Sequence, residues 1–234
     1  HTICPTQPDG PGGGGGGGIL PPDEPDPIVT VEVINNLTSE CFKQFVSRIG
    51  NSKLKSEIAK LYQNTFVGTN KIFNIKFQEQ LNLQHQGQSV PAYSQIDPNN
   101  SNTWVVTLNT TYANIGTQES WGQAILHEIL HGFIEKNDLN FTNNTTWSQE
   151  HEIMLTDWIT QTQSALAEIY ELSNYDALAL SLQGMNDILM ELSGEFFLAD
   201  WIEWIEDVYN INLEDADEVY EQYVEGFKGT LCSI

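Results

Sequence analysis

Apolar and polar positions first fall into a pattern near Pro27. Pro27–Ile34 is a β-branched run that reads as an edge strand. Thr38 or Ser39 can then cap a helix over Cys41–Ile49. Lys53–Gln63 places Leu54, Ile58, Leu61 and Tyr62 on one helical face. Lys71–Glu79 sets Phe73, Ile75 and Phe77 against Ile72, Asn74, Lys76 and Gln78, which reads as a strand. Gln84–Asn102 is polar, carries Pro91 and Pro98, and reads as a loop, and Thr103–Asn109 reads as a second strand. Thr117, with Glu119 in the first turn, opens a helix that is apolar around most of its circumference: Ile125, Leu126, Ile129, Leu130, Phe133 and Ile134. An Asn/Thr-rich loop over Asn137–Trp147 separates it from four helical patterns at 149–172, 176–192, 195–209 and 214–227. A small N-terminal sheet with helices, followed by a helical C-terminal half, is an α+β arrangement.

The first 27 of the 234 residues do not share this patterning. Gly12 to Gly18 is unbroken glycine, followed by a proline-rich acidic stretch, and such sequence cannot bury enough apolar surface to order itself. The expected organisation is a disordered Gly/Pro-rich tether over 1–27 and one domain over 28–234. The net charge of −23, with nine basic residues, argues against nucleic acid and against an anionic membrane surface as partners. No apolar run is long enough to span a bilayer, so no membrane insertion is expected. Glu214, Asp215, Asp217, Glu218 and Glu221 lack the loop spacing of a calcium site and read as an exposed helix face. The three cysteines, Cys4, Cys41 and Cys232, form no C-x-x-C pair. A Cys41–Cys232 bridge would suit an exported chain. The sequons at Asn36, Asn109, Asn140 and Asn144 matter only in a glycosylating host.

Candidate chemistry concentrates in the long apolar helix, at His127-Glu128-Ile129-Leu130-His131-Gly132. Two histidines four apart project from one face of a helix and can reach a single Zn²⁺, leaving the glutamate to act on water. Burying two histidines and a glutamate is costly unless they are paired or bind a metal. A catalytic zinc commonly takes a third protein ligand, and His151 is the candidate, with Glu150, Glu152 and Asp157 as alternatives. Asp157 can also serve as a carboxylate behind a ligand histidine. Met154 reads as a floor beneath the metal, and Trp158, Trp201, Trp204, Phe196 and Phe197 read as core.

His127-Glu128-Ile129-Leu130-His131-Gly132, followed later by His151-Glu152-Ile153-Met154, resembles the zincin-type metallopeptidases. It is similar in particular to secreted bacterial proteins with H-E-x-x-H, a small residue and an H-E-x-M segment opening a second helix. The resemblance covers about 103–172. It implies a zincin-like fold, one zinc ion per chain held by His127, His131 and His151, and Glu128 as general base. Two longer patterns are absent: Ile134 and Asn137 stand where H-E-x-x-H-x-x-G-x-x-H needs glycine and histidine, and the N-E-x-x-S/D pattern of thermolysin-like enzymes is missing.

The expected activity is zinc-dependent hydrolysis of a peptide bond in a protein or peptide substrate, outside the cytoplasm, by a secreted or surface-tethered chain. His85, Tyr112, Tyr170 and Tyr175 are candidates to stabilise the oxyanion. The outer strand of the sheet could pair an extended substrate. Two alternatives stand beside this reading. One is a tethered extracellular binding domain with a structural or inactive metal site, marked by a fourth ligand such as Glu152 or Asp157. The other is an effector or toxin protease acting on one target.

Overall fold

The computed structural model describes residues 33–51, 53–67, 73–113, 115–137, 147–183, 185 and 195–232. The chain separates into two units, His1–Thr30 and Val31–Ile234, and every described residue belongs to the second. The tether, Cys4, the start of the first strand, most of the Asn/Thr-rich loop and the last part of the 176–192 pattern lie outside the described residues. So do the sequons at Asn140 and Asn144 and the side chains of Phe196, Phe197 and Trp201.

The architecture is α+β. Four strands form one sheet in the order β1 (Val33–Asn35), β2 (Asn74–Gln80), β6 (Asn100–Asn109), β5 (Ala92–Asp97). The first three run parallel and β5 runs antiparallel to β6. β2 alternates as its sequence predicts. Ile75 and Phe77 are buried in the core, while Asn74 and Gln78 hydrogen-bond across the ladder to their register partners Thr103 and Thr107.

The stretch expected to be a loop, Gln84–Asn102, is instead structured. It holds a small hairpin, β3 (Gln84–His85) with β4 (Gln88–Ser89), then β5 and the first residues of β6. The inward positions of β5, Ala92 and Ser94, carry little apolar signal, and its outer flank belongs to the sheet edge. Pro91 precedes the strand and costs no donor within it, and its carbonyl accepts the Asn109 N–H at 2.8 Å.

Helix α1 (Glu40–Ile49) buries Cys41, Phe42, Phe45, Val46 and Ile49. Helix α2 (Glu57–Tyr62) starts later than its pattern suggests, because the Glu168 carboxylate binds the Lys55 and Ser56 N–H groups at 2.7–2.9 Å. The central helix α3 (Gln118–Asn137) packs on β5 and β6 and on helices α1, α5 (Ile159–Tyr170), α6 (Asn174–Leu182) and α8 (Leu213–Val224). Thr117 and Ser120 cap it reciprocally, each hydroxyl binding the other's backbone N–H. Helix α4 (Trp147–Ile153) runs into α5 through one π-type turn at Met154–Trp158. Helix α7 (Glu195–Tyr209) precedes α8. Met154 is fully buried, and Trp158 and Trp204 pack against the core. The five acids named in α8 are all exposed.

After α8 the chain doubles back as a strap along the start of α3. The Thr230 carbonyl accepts the Gln118 N–H, Cys232 N–H reaches the Gly116 carbonyl, and the buried Glu119 carboxylate accepts the Thr230 N–H at 2.9 Å. Cys232 is disulfide-bonded to Cys41 on α1, 191 residues away. A loop of that length stabilises by about 5 kcal/mol in the chain-entropy picture. Among the described residues no helix is long and apolar enough to cross a membrane.

Candidate metal centre

The apolar circumference of α3 reflects burial on all sides. Ile125, Leu126, Ile129, Leu130 and Ile134 are buried, and so are His127, Glu128 and His131 between them. Two glycines make the fit possible. A Cβ at Gly132 would stand 2.6 Å from the Trp104 indole, and one at Gly122 would run into the Tyr170 ring. Trp104 therefore lies directly on the helix and donates its indole N–H to the Glu128 carbonyl at 3.0 Å. The small residue after the second histidine is the seat of this strand-to-helix contact.

α4 returns His151 to α3. The Nε2 atoms of His127 and His131 are 3.1 Å apart, as are those of His127 and His151, and all three residues are buried. Three nitrogens about 2.0–2.1 Å from a tetrahedral ion would stand roughly 3.3 Å from one another. His131 Nδ1 is bound at 2.6 Å by the Glu150 carboxylate, which fixes the proton there and leaves Nε2 as the lone-pair nitrogen. Burial first, and then the neighbouring histidines, hold His127 and His131 well below the usual imidazole pKa, so both are neutral.

The three histidines lie close enough to share protons or to hold a metal ion. A single proton on His127 Nε2 can satisfy one neighbouring nitrogen, not two. His127 Nδ1 is buried and has no hydrogen-bond partner among the described residues, whether its Nε2 carries a proton or faces an ion. One cation at the point where the three Nε2 atoms converge satisfies all three. The residues therefore fit a metal ion, whose identity the geometry leaves open.

Glu128 contacts β5. Its Oε2 accepts the Ser94 hydroxyl at 2.5 Å. Burial raises its pKa to about 7, with a further push from Glu150, against the pull of the Ser94 hydrogen bonds. Burial also raises Glu150 to about 7. A cleft of about 370 Å³ opens beside His127, Glu128 and His151, between the β4–β5 segment and α8.

The sequence-derived residues do not all gather here. Glu150 supports His131 and is not the third ligand. Glu152 is exposed, and so is Asp157, which therefore does not stand behind a histidine as its alternative role required. Of the oxyanion candidates only Tyr112 lines the cleft, its hydroxyl bonded to Ser89. His85 stacks on Tyr93, Tyr170 packs against Gly122, and Tyr175 is exposed. Ser94 and Tyr220 were not foreseen. No local signal marks Ser94, whose role depends on β5 pairing, and Tyr220 sits in a helix that reads as a solvated acidic face.

Comparison with protein-family models, with curated proteins and with solved structures found no match.

Proposed function

We propose that this chain is a zinc-dependent peptidase of zincin-like build, acting on a protein or peptide. The observation that carries the reading is the convergence of three buried histidine nitrogens next to a buried glutamate at a cleft. His127, His131 and His151 would hold the ion, for which an all-imidazole set suits zinc. Bound there, zinc would supply Lewis acidity and bring water toward a pKa of about 7. Glu128 takes a proton from water and returns it to the leaving amine; Ser94 occupies Oε2, so Oε1 is the atom free to carry it. Ser94 also keeps the carboxylate from rotating. β5 lies at the sheet edge beside the cleft, where an extended substrate can add as a further strand.

Two further observations favour a catalytic over a structural ion. Among the described residues the ligand group has three members, and both carboxylates that would have closed it are exposed. The Cys41–Cys232 disulfide supports action in an oxidising compartment.

The test is metal analysis by plasma mass spectrometry on protein purified without an affinity-metal step, paired with Glu128→Gln. The expected result is about one zinc per chain in both proteins, with peptide hydrolysis lost only in the variant. Full hydrolysis by Glu128→Gln would refute the base assignment. Absence of metal after zinc is offered would refute the enzyme.

A further inference from the structure

The cleft beside the histidines is walled by apolar side chains. Val90 and Ala92 face it from the strand side, Trp121 and Ala124 from α3, and Tyr220 and Val224 from α8. The polar groups in its lining are largely engaged within the protein. Ser120 Oγ binds Thr117 O at 3.0 Å, Gln123 Nε2 binds Gln183 O at 2.8 Å, and the Tyr112 hydroxyl binds Ser89. Among the described residues no lysine or arginine lines it. An acidic side chain entering this space would lose water and meet Glu128 with no lysine or arginine among the described lining residues to pair it, whereas an apolar one loses nothing.

The apolar surface does not stop at the mouth of the cleft. Ile115 lines it and is 52% exposed. Leu231 of the strap is 59% exposed and pairs with Thr117, two residues from Ile115. Phe227, at the turn just beyond Val224, is 81% exposed, and Leu231 packs against its neighbour Gly226. Ile115, Leu231 and Phe227 therefore continue the cleft along the strap. The strap itself is pinned by Glu119 and the disulfide. Large apolar side chains held in water by a rigid backbone are a contact surface in waiting.

The geometry points to one continuous recognition surface that selects an uncharged, apolar polypeptide segment, with one bulky side chain in the cleft and further apolar residues on Phe227 and Leu231. This rests on the proposed peptidase reading and adds its substrate class. Phe227 and Leu231 lie outside the cleft lining that holds His127, Glu128 and His151. They act on binding alone.

The test uses the full chain loaded with zinc, a fluorescent peptide rich in Leu and Phe, and a matched peptide in which those residues are Asp, Lys and Ser. The parent should cleave the apolar peptide at least tenfold more efficiently. Phe227→Ser with Leu231→Ser should raise KM for that peptide about tenfold while leaving kcat and bound zinc unchanged. Ala124→Leu, which narrows the cleft from α3, should weaken the same peptide and spare one with only Gly and Ala. Equal cleavage of both peptides, or an unchanged KM in the strap double variant, would overturn the inference. Should neither peptide be cleaved, the peptidase reading fails separately. Fluorescence anisotropy of the same two peptides then decides: tighter binding of the apolar one, weakened by the strap variants, sustains the surface, and equal or absent binding overturns it.

Discussion

The two ends of α3 both bury polar side chains, and they treat them in opposite ways. At its N-terminal end Thr117, Ser120, Glu119 and Gln123 are buried, and each is satisfied from within the protein: by one another, by the strap backbone and by Gln183. Ten to fourteen residues beyond Thr117, His127, Glu128 and His131 are as deeply buried, yet the Nε2 atoms of His127, His131 and His151 crowd together and His127 Nδ1 has no partner among the described residues. A helix that merely needs to pack closes its polar accounts as the first end does. At the second, the three histidines lie close enough together to hold a metal ion.

That contrast can be broken most forcefully by removing one of the three nitrogens. His131→Ala should reduce metal content from about one ion per chain to near zero and abolish hydrolysis, as read by mass spectrometry and peptide assay. Retained stoichiometric metal would mean the ion lies elsewhere. Glu150→Ala should leave the ligands in place but loosen His131, weakening metal affinity about 10–100-fold in a chelator competition titration. Unchanged affinity would reduce Glu150 to a bystander. At the other end of the helix, Glu119→Ala should leave metal content untouched and lower stability by about 1–3 kcal/mol, because the Thr230 N–H loses its acceptor. Loss of metal in this variant would show that the two ends are not independent.

The smallest effect belongs to Glu168, a partly exposed acid that also binds backbone donors. Its slight burial raises the pKa, but the Ser56 and Lys55 N–H groups outweigh it and hold the carboxyl below its ordinary value. A depressed folded pKa stabilises above the unfolded value, and the contribution is lost as pH falls through the folded one. Glu168→Gln should therefore cost less than about 1 kcal/mol at neutral pH, given solvent screening, and nothing once pH falls well below about 4. Urea midpoints at pH 7 and pH 3 check this; a difference that persisted at pH 3 would point to shape and not charge.

The histidine cluster was legible because its chemistry is local or scarce. His127 and His131 share a helix face by spacing alone, and His151 is the only histidine in the segment that returns to them. The all-round apolar character of α3 correctly announced a buried helix. What stayed hidden depends on contacts between distant segments. β5 escaped notice because an edge strand needs little apolar signal, and with it went Ser94, whose contact with Glu128 exists only once β5 packs on α3. Glu150 and Asp157 are both acids near His151, and their spacing cannot say which one meets His131; Asp157 falls within the turn at Met154–Trp158 and is exposed. Tyr220 was masked by the exposed acids around it on α8.

The Cys41–Cys232 bond also has a topological side. All three ligand histidines, Glu128, the cleft and most of the strap lie between the two sulfurs, so this stretch is a covalent ring. A single cut anywhere between 42 and 231, including one the protein makes in itself, opens the ring but releases no piece. Such a nicked molecule migrates as one band until a reductant is added, and only then falls into two.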